Sequence, residues 1–203
     1  MEVVVPFAAH APKTRLEPLL DPDERASFAR AMLEDVLDAV EGTGRMPTVL
    51  STTQIGIDAE VLVDERRLTD AVDGVLAKSV GPVAVVMADL ALATPAALDR
   101  LFETDGDVVI APGRGGGTNA LVVRHPDFRT DYHGISFRDH LRIAQSVGAS
   151  VEVVDSFRLS TDVDEPEDLV EVLLHGGERS SAWLADRGFR FKTSEGRVQV
   201  DRR

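Results

Sequence analysis

The eight residues Val83-Ala84-Val85-Val86-Met87-Ala88-Asp89-Leu90 constrain the fold more than any other stretch. Six apolar residues run without a break into a single carboxylate. Apolar side chains at every position, rather than at alternate ones, call for burial on both faces, as in a central strand of a parallel sheet. Gly81-Pro82 opens the run. Thr94-Pro95 starts a helix just beyond it, with Thr94 as N-cap and Pro95 in the first helical position. Asp89 is therefore expected at the carboxyl end of a central strand, the edge on which open α/β sheets bind ligands. A carboxylate there suits a divalent metal that carries a phosphorylated substrate. It equally suits a simple turn cap.

The remaining chain follows the same alternation. Residues 3–7, 48–51, 60–63, 107–111, 120–123 and 151–154 read as further strands. Between them lie helical stretches at 22–40, 67–77, 95–103 and 136–147, and one that follows Pro166 and ends near Gly176. The first helix has Asp21 as N-cap and Pro22 behind it. Its apolar stripe is Phe28, Met32, Leu33, Val36, Leu37 and Val40. Strands that alternate with helices predict a three-layer α/β/α fold around a mainly parallel, twisted sheet.

Composition narrows the function. A net charge of −13 argues against non-specific nucleic-acid binding, which needs a basic face. Without cysteine there is no disulfide, thiolate metal site or thiol nucleophile. No apolar run approaches the ~20 residues of a membrane helix, so no membrane partner is expected. The N-terminus lacks the basic region of a secretion signal, which points to the cytoplasm. Only three of the 22 basic side chains are lysines: Lys13, Lys78 and Lys192. An acidic, lysine-poor surface suits a protein that stays soluble in high salt, where repulsion is screened.

Four motifs carry chemistry. The loop from Pro6 to Leu16 leaves the first strand on the Asp89 edge and delivers Lys13 and Arg15, a point charge and a bidentate clamp for phosphates. It lacks the Gly-Lys-Ser/Thr ending of a P-loop. Gly113-Arg114-Gly115-Gly116-Gly117-Thr118-Asn119 strips side chains from a loop whose amides can form an anion-binding concavity. Asp162-Val163-Asp164 precedes a helix, and residues two apart on extended chain face one way. Either Asp162 or Asp164 is expected to join Asp89 on a metal. Tyr132-His133-Gly134-Ile135-Ser136 places Ser136 as an N-cap beside a helix N-terminus, where an anion can dock.

Together these residues resemble the 2-phospho-L-lactate guanylyltransferase family. The match is carried by Val5-Pro6-Phe7 with Lys13-Thr14-Arg15-Leu16, Val86-Met87-Ala88-Asp89-Leu90, Arg114-Gly115-Gly116-Gly117-Thr118-Asn119-Ala120-Leu121, and Asp162-Val163-Asp164-Glu165-Pro166-Glu167-Asp168-Leu169. The resemblance implies a nucleotide-diphospho-sugar transferase-like fold over residues 1–177. Residues 178–203 would form an extension at a homodimer interface, with Trp183, Phe189 and Phe191 as anchors. It implies transfer of GMP from GTP to 2-phospho-L-lactate in the synthesis of deazaflavin coenzyme F-420, with Mg2+ as the metal. Phosphoenolpyruvate, 3-phosphoglycerate or another phosphorylated small acid is the alternative acceptor. On this resemblance Lys13, Arg15 and Asp89 are catalytic. Pro6, Phe7, Ala8, Lys13, Ser51 and Asp89 meet the nucleotide. Gly117, Thr118, Asn119, His133 and Ser136 meet the acceptor, and Asp89 with Asp162 or Asp164 meets the metal. Thr69 stands where related chains often carry an Asn that faces the nucleotide. A molybdopterin-type nucleotidyltransferase is disfavoured by the absence of Gly-x-Gly-x-Arg after the first strand. A non-catalytic nucleotide-binding protein of the same fold is the rival from outside enzymology.

Overall fold

A computed structural model describes residues 1–10, 12–194 and 197–202. In chain order the elements are β1 (Glu2–Phe7), α1 (Pro22–Glu41), β2 (Pro47–Ser51), β3 (Glu60–Val63), α2 (Leu68–Leu76), β4 (Val83–Val86) and α3 (Pro95–Glu103). Then follow β5 (Val108–Pro112), β6 (Thr118–Val123), α4 (Ser136–Ser146), β7 (Val151–Val153), α5 (Phe157–Ser160), α6 (Leu169–His175) and α7 (Glu178–Asp186). A hairpin of β8 (Phe189–Ser194) and β9 (Arg197–Arg202) ends the chain. No helix among the described residues is long and apolar enough to cross a membrane.

The sheet has seven strands in the order β3-β2-β1-β4-β6-β5-β7. Six run one way. β6 alone is antiparallel, to both β4 and β5. The sheet is thus mainly parallel, as expected. The reversal of β6 has a functional consequence, because it brings the start of β6 to the edge where its neighbours end. Met87 N–H donates to Asn119 O at 3.0 Å across that edge.

Side chains along each strand alternate between two cores. Val3, Val5, Ala84, Val86 and Val109 face α1 and α3, whereas Val4, Val83, Val85, Ile110 and Leu121 face α2 and α4. Continuous burial of β4 on both faces explains its unbroken apolar sequence. The strand itself stops at Val86, so Asp89 lies three residues further on, in the turn that follows.

Local signals act as their chemistry dictates. Asp21 accepts from Glu24 N–H at 2.8 Å, and the Glu24 side chain accepts from Asp21 N–H at 3.1 Å, a capping box with Pro22 behind it. Thr94 caps α3 through Ala97 N–H. The stripe of α1 is buried throughout.

The last residues fold back on the domain. The Asp35 carboxylate of α1 accepts from Arg179 N–H and Ser180 N–H, both at 2.9 Å, and so caps α7. Trp183 stacks on Phe28 with ring centroids 5.0 Å apart. Phe189 is only 1% exposed, in a third core with Leu16, Leu20 and Phe28. Trp183 and Phe189, expected as subunit anchors, therefore pack inside this chain. Of the three aromatics Phe191 alone is exposed.

Candidate active site

Beyond β1 the chain runs through a loop into a 3-10 turn at Thr14–Leu16. Lys13, just before that turn, has φ 55°, the one positive φ of a non-glycine residue among those described. A side-chain-bearing residue in this region costs roughly 1–2 kcal/mol. What holds it there is electrostatic. Its ammonium donates to Asp89 Oδ2 at 2.6 Å and to Asp164 Oδ1 at 2.7 Å. Burial pushes the Lys13 pKa down, but the two carboxylates outweigh it and raise it above the ordinary lysine value.

The two carboxylates meet because backbone joins their loops: Val163 N–H donates to Asp89 O at 3.2 Å. Val163 is fully buried, and its neighbours Asp162 and Asp164 are both half-buried, as alternation requires. Their partners differ. Asp164 takes Lys13. Arg15 lies at 3.5 Å from Asp164 and 3.7 Å from Glu165, with its side chain 66% exposed. Asp162 accepts from Asn119 Nδ2 at 3.1 Å, and Asn119 also donates to Leu159 O at 3.0 Å. Desolvation raises the Asp162 pKa. The Asn119 bond opposes this, and the charges of Asp89 and Asp164 add to it.

Among the described residues no three His, Asp or Glu side chains form a ready metal-ligand group. The donor chemistry nevertheless fits a hard cation. Asp89 Oδ2 and Asp164 Oδ1 converge on one cationic centre, now the Lys13 ammonium. Mg2+ needs only one or two carboxylates when water and phosphate supply the rest of its shell.

A cavity of about 480 Å³ adjoins this cluster. Pro6, Phe7 and Ala8 line it, with Lys13, Asp89 and Asp164. Ser51 does not: it is 1% exposed, its carbonyl accepts from Asp64 N–H, and Thr52 faces the cavity instead. The sequence reading also missed Asp64, Arg66, Arg67 and Leu68, which line the cavity between β3 and α2. The signal was available, since Asp64-Glu65-Arg66-Arg67 follows a strand on the same edge as Asp89. Thr69 does not line this cavity, and its hydroxyl accepts from Tyr132 N–H at 3.1 Å.

The glycine-rich segment is a tight β5–β6 connection rather than an open nest. Gly113 N–H, Arg114 N–H and Gly116 N–H donate to Gly117 O, Ser160 O and Gly113 O. Gly116 has φ +84°. A Cβ at Gly113 would lie 2.4 Å from Asn119 Oδ1, so that glycine makes room for the Asn119 side chain. Arg114 pairs with Asp168 at 2.8 Å.

Thr118 and Asn119 belong to β6, and both are buried. Ser136 is the first residue of α4 rather than its N-cap, which is Ile135. Its hydroxyl instead accepts from Thr118 N–H at 2.9 Å. His140, 0% exposed, completes this group. Its Nε2 accepts from Asp131 N–H at 3.0 Å, so the neutral ring carries its proton on Nδ1 and donates to Thr118 Oγ1 at 2.9 Å. Burial drops the His140 pKa to about 4. Of the five residues expected at the acceptor, only His133 and Gly117 remain accessible, and His133 pairs with Asp131 at 2.7 Å.

Comparison with known proteins gives the family. The family model described as "Guanylyl transferase CofC like" matches residues 1–203. A 2-phospho-L-lactate guanylyltransferase of Halomicrobium mukohataei is 62% identical over 202 residues, covering 100% of both chains. That of Haloferax volcanii is 61% identical, covering 100% of this chain and 98% of the relative. Among solved structures, a Desulfovibrio desulfuricans G20 protein assigned as a nucleotide-diphospho-sugar transferase superposes with TM-score 0.72 at 17% identity, over 92% of this chain and 96% of that one. Rv0371c of Mycobacterium tuberculosis H37Rv, in complex with manganese, gives TM-score 0.50 at 16% identity, over 86% of this chain and 99% of that one. These two likenesses establish a shared fold. Match to the family model over residues 1–203 and full-length relatives above 60% identity lead to one conclusion: this chain is a nucleotidyltransferase and belongs to the CofC-like guanylyl transferase family.

Proposed function

We propose that this protein transfers GMP from GTP to 2-phospho-L-lactate and releases pyrophosphate. The product, lactyl-2-diphospho-5′-guanosine, serves the synthesis of coenzyme F-420. The observation that carries this reading is Lys13, held in a strained conformation between Asp89 and Asp164 beside a cavity of nucleotide size. The named activity of the full-length relatives supports the choice of substrates.

An oxygen of the acceptor phosphate forms the new bond to the α-phosphorus of GTP, and the bond from that phosphorus to the pyrophosphate oxygen breaks. The nucleophile is already an anion, so no general base is required. The barrier is repulsion between anions and the charge that builds on the leaving pyrophosphate. Lys13 leaves its carboxylates and meets the triphosphate, and Arg15 supplies a second cation from the exposed rim. Asp89 and Asp164, freed from Lys13, would hold Mg2+, which screens the phosphates when bound. A fold neighbour complexed with manganese supports a divalent cation here. Gly117 and His133, at the surface beside β6, meet the acceptor. Thr118, Asn119 and Ser136 fix that surface from beneath.

The experiment is to incubate the protein with magnesium, each common NTP, and 2-phospho-L-lactate, phosphoenolpyruvate or 3-phosphoglycerate. Pyrophosphate is measured and the product weighed by mass spectrometry. GTP with 2-phospho-L-lactate should be the best pair. A faster reaction with another acid replaces the acceptor, and no pyrophosphate from any pair refutes transfer altogether.

A further inference from the structure

The cavity continues beyond the Lys13 cluster and also holds Asp64, a carboxylate to which the phosphate chemistry assigns no role. Asp64 follows β3, anchored by its N–H on Ser51 O at 2.9 Å. The order β3-β2-β1-β4 separates the residues that follow β3 from those that follow β4 by three strand spacings, about 14 Å. That span suits a nucleoside triphosphate laid across the sheet edge. With its phosphates at Lys13 and Asp89, its base points toward Asp64. Pro6, Leu50, Ala71 and Met87 supply apolar walls for a flat ring between them.

Asp64 is prepared for recognition. Arg66 donates to it through backbone N–H (3.1 Å to Oδ1), Nε (2.9 Å to Oδ1) and Nη2 (2.6 Å to Oδ2). These bonds orient the carboxyl plane, and the Arg66 side chain above all holds its pKa down at about 2; an aspartate is an acceptor at neutral pH even without that arm. The Arg66 side chain is 53% exposed. An exposed arm of this kind exchanges readily for another donor, while the backbone N–H keeps the carboxylate in place. Among the common bases guanine alone presents two adjacent N–H donors, at N1 and N2. Adenine and cytosine set a ring-nitrogen lone pair against the carboxylate, and uracil offers a single donor.

We propose that Asp64 is the specificity-determining residue for the base, its carboxylate accepting from N1–H and N2–H of GTP. The inference rests on the GTP reading above. It is tested first by binding, measured calorimetrically with magnesium and without an acceptor. Wild type should bind GTP more tightly than ITP, which lacks the N2 amino group, and than XTP, by roughly 10- to 100-fold. Asp64→Asn should lose a similar factor for GTP and prefer XTP, because an amide offers one acceptor to N1–H and one donor to the C2 carbonyl of xanthine. An unchanged preference for GTP over XTP in Asp64→Asn, with wild-type circular dichroism, overturns the proposal. So does wild-type protein that binds GTP and ITP equally, an outcome that needs no variant. Wild type that selects GTP but guanylylates no phospho-acid instead defeats the transfer reading and leaves the base reading standing.

Discussion

At the end of β4, Lys13 bridges Asp89 and Asp164 beside an open cavity; at the start of β6, Thr118, Ser136 and His140 bond only to one another and to backbone, and none is more than 4% exposed. Both groups are polar and share one sheet edge. The first consists of charges held by strain, whose mutual attraction can be exchanged for a cation and phosphates. The second is neutral, with its hydrogen bonds already made. A ligand could reach it only by breaking bonds that nothing else would satisfy. The first group can change partners and do chemistry, whereas the second sets where β6 begins and so where Asn119 and Asp162 stand.

That contrast can be broken by mutation. The largest effect is expected from Asp89→Asn, which should lower kcat/KM by about 10³-fold or more while circular dichroism stays unchanged. Turnover within twofold of wild type would remove Asp89 from the chemistry. His140→Ala should act the other way, costing about 3 kcal/mol of stability through a cavity and two unpaired groups, read from the urea midpoint. Activity of the folded fraction should fall less than in Asp89→Asn.

Acid should reach the second group selectively. The buried His140 has a pKa of about 4, against 6.5 when unfolded. The unfolded chain therefore takes up this proton first. The stability contribution is complete above pH 6.5 and is lost as pH falls through 6.5 toward 4, about 3 kcal/mol in all. Urea midpoints from pH 7 to 4 should show this slope in wild type and a shallower one in His140→Gln. The smallest effect concerns backbone strain. Lys13→Gly and Lys13→Ala should both lose about 100-fold in activity, but the glycine variant should be about 1 kcal/mol more stable by thermal melt. Equal stability would mean that Lys13 stores no strain.

Most of the first group was legible because each member follows a strand or precedes a helix. Lys13, Asp89 and Asp164 carry that signature locally. Asp64 carries it too, but as one of four consecutive charges it reads as solvated surface. In the second group Ser136 reads as an N-cap, and the structure moves it for a physical reason. Serine favours N-caps, yet Ser136 stands one residue inside α4 because its hydroxyl is engaged by Thr118 N–H. Gly113 reads as one more glycine of a loose loop until the Asn119 side chain is seen filling its missing Cβ. Trp183 and Phe189 read as subunit anchors, because the Asp35 cap that docks α7 on α1 lies 144 residues away in sequence.

Sequence alone determined several starts and the central strand: Asp21 with Pro22 before α1, the Thr94 cap of α3, and the buried run of β4. Each of these depends on neighbours within a few residues, so local chemistry suffices. Tertiary structure alone decided the direction of β6, the inward turn of Phe189 and the left-handed backbone of Lys13. That last conformation persists because its ammonium finds two carboxylates 76 and 151 residues further along the chain. Only packing of the whole sheet brings such partners together.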